Sequence, residues 1–84
     1  MTYRLVVKPS AKKQMRRLPD NVFRRVDARV RALRDDPRPP DTQKLVESLW
    51  WRVRVGGYRI IYEIDDHRLL VRILAVKPRQ SAYR

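Results

Sequence analysis

Apolar positions along the chain change their period twice. Tyr3–Lys8 ("YRLVVK") is a short β-branched run closed by Pro9, and it reads as a first strand. The spacing then becomes helical. Ala11, Met15 and Leu18 follow at i, i+4 and i+7, with Ser10 as the expected N-cap and Pro19 as the stop. Asp20 or Asn21 can cap a second helix, in which Val22, Val26, Val30 and Leu33 share one face, helped by Phe23. Arg24, Arg25, Arg29, Arg31 and Arg34 lie on its other side. The stretch "DDPRPPD" ends it, because three prolines forbid helix and define an extended loop.

Beyond that loop the pattern alternates. Leu49–Val55, Tyr58–Asp65 and Arg68–Val76 read as three consecutive antiparallel strands. Gly56-Gly57 is a dipeptide favoured where both turn residues need positive φ, and a two-residue loop pairs Val55 with Tyr58 and Arg54 with Arg59. A second two-residue turn at Asp66-His67 would pair Ile64 with Leu69, Tyr62 with Val71, Ile60 with Ile73 and Tyr58 with Ala75. Trp51, Val53, Val55, Tyr58, Ile60, Tyr62, Ile64, Leu69, Val71 and Ile73 then form one hydrophobic face, ready to receive the helices. The expected fold class is α+β. It is a single domain over 1–84 in the order β-α-α-β-β-β, an antiparallel sheet with two N-terminal helices packed on one face.

Composition narrows the chemistry. With no cysteine there is neither a disulfide nor a thiolate metal site, and His67 is the lone histidine, so no metal and no cofactor are expected. No apolar run approaches the roughly 18 residues of a membrane span. The N-terminal "MTYRLVVKPS" lacks the order of a signal peptide, so a cytosolic protein is expected. Lys plus Arg total 21 against 9 acidic residues, a net charge of +12, and 16 of the 21 are arginine. A GC-rich genome would explain the Arg/Lys ratio but not the net charge. That charge points to nucleic acid, or to an acidic protein that covers it.

The charge concentrates where the strand pattern faces away from the helices. The inferred register places Arg52, Ile61 and Arg72 in one row and Arg54, Arg59 and Leu74 in the next, with Glu63 near Leu70. Lys77 and Arg79 emerge at the edge carrying Arg54 and Arg59, with Trp50 and Tyr83 as aromatic neighbours. Like charges facing each other across a ladder are destabilising. The face is therefore either open to screening water or built to receive an anion. Phosphates need charge and unstacked bases need a flat partner, which is what such a surface offers RNA. Tyr83 and Trp50 could instead be hydrophobic anchors, Glu47 is expected to be structural, and His67 a turn residue. RNA brings its own nucleophile, the 2′-hydroxyl, and guanidinium groups can stabilise a pentavalent phosphate. What is missing is a general base, since arginine as a residue type titrates above about 12.

These residues carry a family resemblance. The segment "WRVRVGGYRIIYEIDD…LLVRILAVKPRQSAYR" resembles the C-terminal half of the RelE/ParE superfamily of bacterial toxins, through "R-V-G-x-Y-R-[IL]-[IL]-Y-x-[IV]" and a following "V-x-x-R…Y". The element order matches that superfamily across essentially the whole chain. The resemblance implies the toxin of a type II toxin–antitoxin system. Its activity would be a ribosome-dependent, metal-independent endoribonuclease that cuts mRNA in the A site through the 2′-hydroxyl and so inhibits translation. It implies an acidic, RelB-like antitoxin as partner in a hetero-oligomer, with the ribosome and mRNA as targets. Carried over by position, Arg52 and Arg54 match two basic strand residues, and Arg59 the arginine that contacts the scissile phosphate. Arg79 matches a general acid or phosphate ligand, and Tyr83 the terminal tyrosine that orients the substrate. Arg72, Lys77 and Trp50 are expected to bind RNA. Arginine stands where relatives carry lysine as a proposed base, proline Pro78 enters the active loop, and the region near Gln43 lacks the acidic residue of one subgroup. Two other readings remain: a ParE-type toxin that inhibits DNA gyrase by binding, and a non-catalytic RNA-binding module.

Overall fold

A computed structural model describes residues 2–45 and 49–78. In chain order the elements are β1 (Arg4–Val7), α1 (Pro9–Arg16), α2 (Asp20–Ala32), β2 (Gln43–Lys44), β3 (Trp50–Val55), β4 (Tyr58–Asp65) and β5 (Leu70–Pro78). The strands form one sheet in the order β1-β5-β4-β3-β2. The α+β order expected from the pattern is present, and the β3-β4-β5 meander is antiparallel. Two features enlarge it. β1 joins β5 in parallel, and β2 adds a two-residue edge strand.

Helix starts follow proline rather than hydroxyl chemistry. Pro9, not Ser10, opens α1: its missing N–H is one of the four donors that have no intrahelical partner at that position. Pro19 occupies the cap position of α2, so Asp20 sits inside the first turn, where its charge complements the helix dipole. Ala11, Met15, Val26, Val30 and Leu33 bury themselves against Val53, Val55, Ile60, Tyr62, Val71, Ile73 and Val76. Both helices thus cover one face of the sheet and leave the other to the solvent side.

The β3–β4 register is the one expected, with Arg54 opposite Arg59 and Val55 opposite Tyr58. Only Gly56 takes positive φ (55°), as at the first position of a type II′ turn, so the expectation for Gly57 does not hold. The β4–β5 register differs from expectation. Asp65 accepts the Arg68 N–H (3.0 Å) and pairs with Leu70, so the turn spans four residues and closes at Leu69, φ 51°. Ile64 therefore meets Val71, and Tyr62 meets Ile73. A bulge follows at Leu74, between the Tyr62–Ile73 and Ile61–Ala75 pairs. Gln14 on α1 accepts the Val76 N–H just beyond it (2.7 Å). Turn and bulge together shift the partner of Arg59 by three residues, from Leu74 to Lys77, and send Val76 into the core.

Candidate functional site

The sheet face away from the helices carries a row of three cations on adjacent strands, Arg54, Arg59 and Lys77. Facing Cα atoms in an antiparallel ladder lie roughly 4.5–5.5 Å apart. Two guanidinium groups held about 6 Å apart repel by roughly 1–3 kcal/mol at an effective dielectric between water and protein surface. Among the described residues, no carboxylate lies in this row. The next row is Arg52, Ile61 and Ala75, with Gln43 on the outer strand, and it is also free of acid. Arg59 is only 3% exposed, the one charged residue among the described buried set. A merely solvated face would leave its central arginine in water. A pocket of about 300 Å³ opens beside the rows, lined by Asp41, Gln43, Arg52, Val53 and Arg54.

Nearby acids are already paired. Asp41 pairs with Arg29, which holds its carboxyl below the usual range. Asp66 takes a bidentate grip from Arg38 (3.2 and 2.9 Å) and a hydrogen bond from the Tyr3 hydroxyl (2.7 Å), which together lower its pKa to about 2. Arg38 also stacks over Trp51, 5.0 Å from the ring centre. The contacts of Arg38 with Asp66 and Trp51, and of Tyr3 with Asp66, close the end of the sheet remote from the hairpin. They lock loop 35–42 in place rather than furnish a reactive group. No group of three or more His, Cys, Asp or Glu side chains able to hold a metal occurs among the described residues.

An acid-free cluster of guanidinium and ammonium groups on a rigid sheet can bind a phosphodiester and stabilise charge that develops on it. The family model for the ParE toxin of the type II toxin–antitoxin system parDE matches residues 5–83. The chain belongs to the RelE/ParE superfamily of type II toxins. Among solved structures, the toxin is similar to the archaeal RelE–RelB complex of Pyrococcus horikoshii: 32% identity, 94% of this chain and 97% of that one, TM-score 0.84. It is also similar to the RelBE2 toxin–antitoxin complex of Mycobacterium tuberculosis, at 26% identity, 94% and 100% coverage and TM-score 0.83. A doubly substituted RelE from E. coli in the free state shares the fold at 20% identity, 99% and 90% coverage and TM-score 0.83. No curated protein gives a significant sequence match.

The residues singled out from sequence fall into three groups in the toxin. Arg52, Arg54, Arg59 and Lys77 share the acid-free rows. Arg72 does not: the longer turn moves it opposite Glu63, with which it forms an ion pair (3.1 Å), instead of into the row of Arg52. Trp50 stands on the same outer face at 46% exposure, but in the row of Glu63 and Arg72. Arg79, Tyr83 and Glu47 lie outside the described residues. Sequence reading overlooked Gln43 and Thr42, which the loop delivers to Arg52. Gln43 accepts from its guanidinium, and Thr42 donates to its carbonyl (3.1 Å). Nothing in the local pattern marks them, because both contacts cross to a strand eight or more residues away.

Proposed function

We propose that this toxin is a ribosome-dependent mRNA endoribonuclease that cuts in the A site and thereby inhibits translation. The observation that carries the reading is the row of three cations Arg54–Arg59–Lys77 on adjacent strands, with Arg59 buried at its centre. The 2′-hydroxyl of the substrate attacks the adjacent phosphorus and the bond to the 5′-oxygen breaks, giving a 2′,3′-cyclic phosphate and a free 5′-hydroxyl. Arg59 and its neighbours Arg54 and Lys77 offset the added charge of the pentavalent phosphate, the task a divalent metal performs in other nucleases. Arg52 binds the flanking phosphate. Arg79 and Tyr83 keep the roles that the resemblance implies, general acid or phosphate ligand for Arg79 and orientation of the substrate for Tyr83. Arg72, offset by Glu63, adds little to the charge of the site, and Trp50 offers a stacking surface at the margin. The toxin acts in the cytoplasm, and a RelB-like acidic antitoxin holds it in a hetero-oligomer.

Mapping mRNA 5′ ends in a translating extract tests this reading, with Arg59→Ala plus Arg79→Ala as the comparison. Cuts at A-site positions that vanish in the double variant are expected. Intact mRNA with continued translation would refute the reading. The match to the ParE family model favours a second one, inhibition of DNA gyrase by binding, which requires no catalytic face. Loss of supercoiling activity in a purified gyrase assay, with mRNA left intact, would establish it instead.

A further inference from the structure

β2 is two residues long, and the chain before it is fastened at every turn. Tyr62, fully buried, donates its hydroxyl to the Pro37 carbonyl (2.8 Å) and touches the Thr42 hydroxyl. Thr42 reaches on to the Arg52 carbonyl (3.1 Å), and Arg29 pairs with Asp41. Such fastening exceeds what a two-residue edge strand needs for its own pairing with Trp51 and Arg52. Its effect is to deliver Gln43 to one place. There the Gln43 side-chain oxygen accepts from both Nε (3.1 Å) and Nη2 (2.6 Å) of Arg52.

We propose that Gln43 is a positioning residue for the endoribonuclease reaction: it clamps the Nε/Nη2 edge of Arg52, so that the terminal Nη1/Nη2 edge of the guanidinium is presented to the substrate phosphate. The inference rests on the endoribonuclease reading above. Three features recommend glutamine for this task. Its amide oxygen is neutral, so it holds the guanidinium without cancelling the charge the site depends on. A carboxylate would grip harder and neutralise it. It engages one edge only, and an arginine carries five N–H donors in a fixed fork, which leaves the terminal Nη1/Nη2 edge for bidentate contact with a phosphate. Finally, an unrestrained arginine on a sheet face samples many rotamers. Fixing one beforehand removes part of the ordering cost from the bound transition state.

The test reads orientation and catalysis separately, on the full chain. In ¹H–¹⁵N spectra of the free toxin, the Arg52 Nε–H resonance should be displaced and slow to exchange, and should collapse to the bulk arginine position in Gln43→Ala. In single-turnover cleavage on programmed ribosomes, Gln43→Ala should lower the rate roughly three- to tenfold, the scale of freeing one rotamer-rich side chain. The ribosome concentration for half-maximal rate should stay within about twofold. Gln43→Glu should keep the displaced resonance yet cut more slowly than Gln43→Ala, which separates orientation from charge. In an Arg52→Ala background, Gln43→Ala should have no further effect. A wild-type toxin that cuts beside an equally fast Gln43→Ala would overturn the positioning role alone, as would an undisplaced Arg52 resonance. An equal loss in the Arg52→Ala background would assign Gln43 to the fold instead. A wild type that leaves mRNA intact would overturn the endoribonuclease reading, and this role with it.

Discussion

Removing one oxygen from the core should loosen the loop that carries β2. Tyr62 is 0% exposed and its hydroxyl donates to the carbonyl of Pro37, itself a buried residue. Tyr62→Phe keeps the ring and its packing, but leaves that carbonyl desolvated without its donor and takes a partner from Thr42. An unsatisfied buried acceptor costs about 1–3 kcal/mol. In a domain of this size each kcal/mol lowers the melting midpoint by roughly 4–8 °C. A drop of about 5–20 °C is therefore expected in thermal denaturation followed by circular dichroism. The same hydroxyl yields a pH signature. Burial raises the Tyr62 pKa above its ordinary value of 10.0, while the contact with Thr42 opposes this. The folded state thus holds the phenol proton more tightly than the unfolded chain. Its contribution is complete below pH 10 and is lost as pH rises towards the folded-state pKa. Wild type should lose stability above pH 10 more steeply than Tyr62→Phe. A variant as stable as wild type within about 0.5 kcal/mol would show that the loop is not hung from Tyr62, and a difference of that size lies within ordinary surface-substitution scatter.

Other outcomes follow from the rows and the loop. Lys77→Ala removes a charge beside Arg59 and should reduce mRNA cleavage at least tenfold, whereas Arg72→Ala, which removes a cation already offset by Glu63, should change it less than about threefold. Equal losses in the same cleavage assay would argue that Arg72 stands in the basic row after all. Asp66 has its pKa lowered from 3.8 to about 2 by Arg38 and Tyr3, so its contribution to stability is present above pH 4 and lost as pH falls towards 2. Melting midpoints measured across that window should fall more steeply for wild type than for Asp66→Asn. Parallel curves would show that the Arg38–Asp66–Tyr3 cluster adds nothing in solution.

Part of the candidate site is legible in the sequence and part is not, and the division has a physical basis. A two-residue hairpin leaves a single register, so the opposition of Arg54 and Arg59 follows from Gly56-Gly57 and the alternating pattern around it. Helical spacing likewise identified the helix residues that meet the sheet. The second turn was not legible. Asp65 captures the Arg68 N–H and the chain turns over four residues through Leu69 in the left-handed region, a conformation that residue type does not advertise. The bulge at Leu74 is likewise held from outside its strand, by Gln14 on α1. Those two events decided that Lys77 joins the row and Arg72 leaves it. The parallel docking of β1 and the existence of β2 also rest on contacts distant in sequence, such as Thr42 with Arg52 and Tyr62. Interactions of short range were readable; those requiring the assembled core were not.

In the proposed reaction, the basic row acts on a phosphodiester whose own 2′-hydroxyl is the nucleophile. The most direct measurement is cleavage of two ribosome-bound mRNAs that differ by one oxygen, an all-ribose message and one with a single 2′-deoxynucleotide at the mapped A-site cut. The account predicts that the all-ribose message is cut to a cyclic phosphate and a 5′-hydroxyl end, while the 2′-deoxy message remains intact at that position. Cleavage of the 2′-deoxy message there, or no cleavage of either message, would contradict it.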